Sequence, residues 1–341
     1  MMAALRAVNS ILVIRYSALG DVVLATSVLD PLRERFPGAR IEWVTSPSYA
    51  PLLDGLPGLA AVHPLAGPGL SAATELGRRL RRRFDLAIDL QNKVKSALVA
   101  RAAAPRRIGF RRRTTSGAAL SLLGYDPPRR GPHATQLYAD ALSSLGIERP
   151  GRTQVHLSPR AREAAAEALR HVPRPRVALS PGASQATKRW PAERFAEVAQ
   201  ALAEAGASVV LAGGPADRPA LRAFLEACRV PVSADLTALR VEALAAALSE
   251  VDLLVACDSG PVHLAQAVGT PALAIFGPTS PERWGPKAPG RVVSLSLPCA
   301  PCSNHGGPRC PKGHHRCMVE LGSDEVVTAA NEMLAARVGS P

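Results

Sequence analysis

Short apolar runs alternate along this chain with stretches whose apolar residues recur every three or four positions, and the alternation restarts once. In the first half the pattern predicts strands at 11–15, 41–45, 60–64, 84–90 and 107–110. A helix is expected from Asp21 to about Arg35, stopped by Pro37-Gly38, and another over 76–83. In the second half strands are expected at 177–180, 208–212, 251–257 and 271–276, with helices at 191–205, 215–227, 241–248 and 261–268. Buried strands alternating with helices are the signature of βαβ units on a parallel sheet.

The Arg- and Pro-rich stretch 149–175, with one helix over 159–169, is expected to link two domains. With 341 residues the chain is long for one core. The expected division is 1–155, an acceptor-binding domain, and 156–341, a nucleotide-sugar domain with a Cys-rich segment at 299–317. Ligands of doubly wound sheets bind outside the carboxyl ends of the strands, so a cleft between two such domains is the expected active site.

Composition changes the picture in two ways. Lys and Arg outnumber Asp and Glu by 20 to 9 in residues 1–135, but only by 21 to 19 in the remainder. The excess implies an anionic partner for the first domain, or a merely solvated basic surface. Aromatic residues make up only 4% of the chain, and no nucleic-acid-binding module is visible, so nucleic acid is not expected as a partner. Apolar runs such as Ile11 to Ile14 and Ala272 to Phe276 fall far short of the ~20 residues of a spanning helix. With no signal-peptide pattern at the N-terminus, a cytoplasmic location is expected.

Four strand-to-helix turns carry candidate chemistry. In Ser17-Ala18-Leu19-Gly20-Asp21, the carboxylate is either a first-turn acid favouring the helix dipole or a general base for a hydroxyl. Ser180-Pro181-Gly182-Ala183-Ser184, followed by Lys188-Arg189-Trp190-Pro191, joins a tight turn to two cations, which suits a pyrophosphate. Gly213-Gly214 allows close backbone approach to a ligand, or is simply a turn. Asp258-Ser259-Gly260-Pro261, with His263 in the helix that follows, offers a helix N-terminus to an anion, or is a capped helix with a buried histidine.

Taken in order, these strings resemble glycosyltransferase family 9, the ADP-heptose:lipopolysaccharide heptosyltransferases. Phe276-Gly277-Pro278-Thr279 and Gly285-Pro286 extend the likeness over nearly the whole chain. The resemblance implies an α/β GT-B fold, two Rossmann-like doubly wound domains facing across a cleft, and inverting transfer of heptose from ADP-heptose with no catalytic metal. It implies Asp21 as base and Lys188 beside the donor phosphates. Donor contacts would come from Ser180, Gly182, Ala183, Ser184, Arg189, Gly213, Gly214 and the Asp258–His263 loop (Asp258, Ser259, Gly260, Pro261, His263).

The implied acceptor is the phosphorylated inner core of lipopolysaccharide with its acidic Kdo sugars. Ser17, Gly20, Lys93, Lys95 and Arg111 are the candidate contacts, and other arginines are left for anionic lipid at the inner membrane leaflet. The chain departs from the family at Leu236-Thr237-Ala238, where Leu-Thr-Gly is usual. Other readings are a GT-B transferase of surface glycans with a different donor, and a non-catalytic binder of anionic glycan or nucleic acid. Cys299, Cys302, Cys310 and Cys317 suit either a structural zinc ion or reduced thiols in a packed loop.

Overall fold

The computed structural model describes residues 8–67, 69–110 and 131–338. The chain divides into two compact units, residues 1–115 with 134–156, and residues 116–133 with 157–341.

In the first unit β1 (Ser10–Ile14) leads into α1 (Leu19–Ala25) and α2 (Leu29–Arg35). Then come β2 (Arg40–Thr45), β3 (Leu59–Pro64), α3 (Leu70–Arg79), β4 (Leu86–Asp89), α4 (Val94–Ala103), β5 (Arg106–Gly109) and α5 (Ala134–Asp140). All strands are parallel, in the order β3-β2-β1-β4-β5. Ile11 to Ile14 are fully buried, as a central strand covered on both faces requires. The strand order reverses between β1 and β4, which makes that gap the switch point of the sheet.

The single helix expected up to Arg35 is broken at Thr26–Val28 by a tighter 3-10 turn. Thr26 Oγ1 and Ser27 Oγ donate to the carbonyls of Val23 and Leu24 at 2.6 and 2.7 Å, and Pro31 supplies no N–H to the second helix. The helix expected over 76–83 instead ends at Arg79, and Leu80 to Arg82 form a turn in which Arg82 has φ +52°.

The second unit opens with α6 (Pro159–Ala168), whose N-cap Ser158 accepts from Ala161 N at 3.2 Å. Next come β6 (Arg176–Ser180), α7 (Ala192–Glu204), β7 (Ser208–Leu211), α8 (Arg218–Ala227), β8 (Ala234–Asp235) and α9 (Val241–Leu248). β9 (Leu253–Cys257), α10 (Gly260–Ala267), β10 (Ala272–Phe276), β11 (Arg291–Ser294) and α11 (Ser323–Val338) complete it, with short helical turns at Pro281–Trp284 and Arg316–Val319. Its six parallel strands run β11-β10-β9-β6-β7-β8, so the switch point lies between β6 and β9. α6 packs against α9, so this part of the expected linker belongs to the core of the second unit.

Trp190 and Phe195 anchor that core, with ring centroids 5.1 Å apart at an edge-on angle and Trp190 Nε1 donating to Leu321 O at 3.2 Å. Burying Phe195 completely stabilises the unit by about 1.5–3 kcal/mol. The Trp of the Lys-Arg-Trp-Pro string thus fixes the turn that carries Lys188. Among the described residues no helix is long and apolar enough to cross a membrane.

Candidate active site

The polar cluster of the first unit lies at the β1/β4 switch point. Asp21 stands in the first turn of α1, 18% exposed. Its Oδ2 meets Arg15 Nη2 at 2.7 Å and accepts from Ala18 N at 3.3 Å, while Tyr138 Oη donates to Oδ1 at 3.1 Å. Asp21 therefore steadies its own helix start and also presents a carboxylate, and Oδ1 keeps a lone pair beyond the one given to Tyr138. Burial works against the charge on Arg15, but Tyr138, Asp21 and Asp89 outweigh it, and the guanidinium is held above its ordinary pKa. Arg15 also donates to Leu90 O, and Trp43 Nε1 donates to Arg15 O at 3.1 Å.

The end of β4 braces this arrangement. Gln91 Oε1 accepts from Tyr16 N at 3.0 Å and Ser17 N at 3.2 Å, and Gln91 Nε2 reaches Ser17 Oγ at 3.4 Å. Asp89 accepts from Gln91 N, Asn92 N and Ser96 Oγ at 2.9–3.0 Å. Burial pushes its carboxyl up, against the pull of those hydrogen bonds. Of the candidate acceptor contacts, Gly20 precedes Asp21 in the first turn of α1, and Ser17 lies in the loop before that helix. Lys93 is the exposed N-cap of α4. Lys95 donates to Gly67 O at 2.8 Å and lies 5.7 Å from the centre of the Tyr16 ring, so it is tied to the neighbouring loop. Arg111 lies outside the described residues, as do Arg112 and Arg113.

The polar cluster of the second unit lies at the β6/β9 switch point. Lys188 Nζ is 3.3 Å from Asp258 Oδ2, which also accepts from Thr279 Oγ1 at 2.7 Å. Both side chains of the ion pair are largely buried, at 12% and 8% exposed. Asp258 therefore orients Lys188; a carboxylate in that place is not itself a partner for phosphate. Arg189 is turned away to Ala183 O at 2.9 Å, where it holds the β6 turn together. Ser180 and Ala183 are buried, and Ser184 is the exposed member of the turn.

The glycine turns prove to be packed around an acid. A Cβ on Gly182 would fall 2.3 Å from Asp217 Cγ, and Asp217 Oδ2 accepts from Gly214 N at 2.9 Å. The carboxylate of Asp217 thus fills the space between the Gly182 and Gly213-Gly214 turns that the sequence offered to an anion. Ser259 caps nothing with its side chain, since its Oγ donates to Cys257 O at 3.0 Å. Gly260 and Pro261 begin α10, and His263 is buried within it. At Ala238 the backbone is not left-handed, so the turn there does not require the family's glycine.

Cys257 is inert: burial, above all other effects, pushes its thiol up to about 12. The four clustered cysteines are free. Burial first, and then the neighbouring thiols, pushes Cys317 up to about 11 and raises Cys302 as well. Among the described residues no three His, Cys, Asp or Glu side chains stand close enough to hold a metal ion, so the geometry lends the zinc reading of the cysteine cluster no support.

Sequence reasoning missed Tyr138, Gln91, Asp89 and Thr279, and gave no role to Arg15. Thr279 lies in the Phe-Gly-Pro-Thr string and Gln91 follows a strand at the switch point, so both left a signal. Tyr138 left none, because α5 reaches α1 only through tertiary packing.

Two Rossmann-like units, each with polar side chains gathered at its switch point, are the components of the GT-B fold. The model of glycosyltransferase family 9 (heptosyltransferase) matches residues 73–309. The chain is 30% identical over 312 residues to lipopolysaccharide heptosyltransferase 1 of Pseudomonas aeruginosa, covering 86% of this chain and 85% of that protein. It is 28% identical over 346 residues to lipopolysaccharide heptosyltransferase 2 of Escherichia coli K12, covering 95% and 98%. The solved structure of E. coli ADP-heptose LPS heptosyltransferase II superposes with a TM-score of 0.75 at 25% identity, covering 97% of this chain and all (100%) of that one. The chain belongs to glycosyltransferase family 9, the heptosyltransferases.

Proposed function

We propose that this enzyme transfers heptose from ADP-heptose to the inner core of lipopolysaccharide, Kdo or heptose on lipid A, with inversion at the anomeric carbon. The relatives' names supply the donor and the pathway. The observation that carries the chemistry is the division of labour between the two polar clusters: a carboxylate on the first unit, and a cation held by its own counterion on the second.

Asp21 takes the proton of the acceptor hydroxyl as that oxygen attacks the anomeric carbon. The bond from that carbon to the diphosphate breaks, and its electron pair leaves on ADP. Attack opposite the leaving group gives a product of inverted configuration. Lys188 and the N-terminus of α10 stabilise the departing charge, a type of help typically worth about 2.7–4 kcal/mol per preorganised donor. In this reading the protein supplies the positive charge, so transfer continues after chelation of divalent ions.

The basic first unit suits a phosphorylated acceptor with acidic sugars. It also suits peripheral contact with an anionic membrane on the cytoplasmic side. Leu70, Val94 and Leu98 are 52%, 68% and 38% exposed on α3 and α4, which pack against each other, and Lys93, Arg78, Arg79 and Arg101 share those two helices and the α4 cap. The test of the donor is a screen of ADP-, UDP- and GDP-sugars, with the anomeric configuration of the product read by NMR. Preference for ADP-heptose with inversion is expected; preference for a UDP- or GDP-sugar favours a surface-glycan transferase instead. Vesicles with anionic headgroups are expected to bind the enzyme, and Val94→Asp to weaken that binding.

A further inference from the structure

The cysteine-rich stretch after β11 has little regular structure, yet it is tied down at many points. Cys302 N and Ser303 N both donate to Pro278 O at 2.9 Å. Trp284 Nε1 donates to Asn304 O at 2.9 Å, and the Trp284 and His305 rings lie 5.4 Å apart. Four of its next hydrogen bonds fall on Thr187, the residue before Lys188. Thr187 N donates to Gly307 O at 3.1 Å. The hydroxyl of Thr187 donates to the same carbonyl at 2.9 Å and accepts from Gly307 N at 2.8 Å. Thr187 O accepts from His315 Nε2 at 2.8 Å. Thr187 is only 4% exposed, so water cannot easily replace these partners.

Gly306 completes the contact. At φ +80° it lies against the Lys188 stem, where an added Cβ would stand 2.8 Å from Lys188 Cγ and 3.2 Å from Cδ. The absence of a side chain there leaves room for the extended lysine. Lys188 is thus located at both ends. Asp258 holds its ammonium, and this strap holds the preceding residue, Thr187, and lies against the lysine stem.

We infer that Thr187, with Gly306, Gly307 and His315, forms a positioning set for Lys188, so that the cysteine-rich strap sets the affinity of the second unit for the donor diphosphate. The inference rests on the proposed role of Lys188. None of these strap residues needs to touch the donor; they act through the lysine.

The test uses the full-length enzyme and ADP as the probe, with calorimetric binding and steady-state kinetics in both substrates. Thr187→Val keeps the shape and removes the hydroxyl. It is expected to weaken ADP binding and raise the donor KM about five- to tenfold, leaving the acceptor KM unchanged. Thr187→Ser is expected to restore both values. On a Lys188→Ala background Thr187→Val should add no further loss. Thr187→Val that lowers the melting temperature yet binds ADP like wild type would overturn the inference, as would an undiminished loss in the Lys188→Ala background. Should Thr187→Val not fold, His315→Ala against His315→Gln decides in the same way: weaker ADP binding rescued by Gln supports the inference, and unchanged binding overturns it. If Lys188→Ala itself binds ADP like wild type, the donor reading of Lys188 fails, which is a separate result.

Discussion

Replacing Asp258 by Asn keeps the size of the side chain and removes its charge. Lys188 Nζ, 3.3 Å away, loses its counterion while its side chain remains only 12% exposed. Breaking a buried ion pair on one side costs about 3–5 kcal/mol. The pair keeps some contact with water, at 12% and 8% exposed, so the lower end, about 3 kcal/mol, is expected here. For a unit of this size that corresponds to a fall in Tm of roughly 6–12 °C. Bound diphosphate would return an anion to Lys188, so ADP should raise the Tm of the variant by more than it raises that of wild type. Removing both charges, with Lys188→Met and Asp258→Asn together, should recover most of the stability and none of the transfer activity. Thermal melts with and without saturating ADP make the comparison. An Asp258→Asn protein that melts with wild type, or whose response to ADP is no larger, would refute the assignment of Asp258 as the counterion of Lys188.

Two further outcomes follow from the first unit. Tyr138→Phe removes the 3.1 Å hydrogen bond to Asp21 Oδ1 and should lower kcat/KM about tenfold with donor KM unchanged, measured by initial rates. Asp85 accepts from Asn9 N, Ser10 N and Ser10 Oγ at 2.9–3.0 Å, and these bonds, Asn9 foremost, hold its carboxyl below the ordinary value of 3.8. A lowered carboxyl contributes stability above its ordinary value and loses it as pH falls through the lowered one. Asp85→Asn should therefore cost about 1 kcal/mol at pH 7, discounted for its exposure to solvent, and nothing in strong acid, as read by denaturant titration across pH.

The sheets were legible in the sequence because buried parallel strands leave continuous apolar runs such as Ile11 to Ile14 and Leu253 to Cys257. Helices were less so. The break at Thr26–Val28 depends on two hydroxyls that donate backward to carbonyls, and no hydrophobic period reports that. The candidate acid and the lysine could be read off because each follows a strand at a switch point. Their partners could not, because Tyr138 comes from 117 residues away and Thr187 binds a glycine 120 residues on. The glycine turns are an ambiguous signal for a physical reason. Gly182 and Gly214 meet a side chain of their own unit, Asp217, and a close approach to a carboxylate leaves the same trace in sequence as a close approach to phosphate.

The most direct measurement is heptose transfer itself, with purified enzyme, ADP-heptose and core acceptors of defined length, and products read by mass spectrometry for wild type and Asp21→Asn. The expected result is addition of one heptose by wild type, and a fall of about a thousandfold in Asp21→Asn with ADP affinity nearly intact. Transfer by Asp21→Asn at the wild-type rate would contradict the role of that carboxylate, and failure of wild type to move heptose onto any core acceptor would contradict the function.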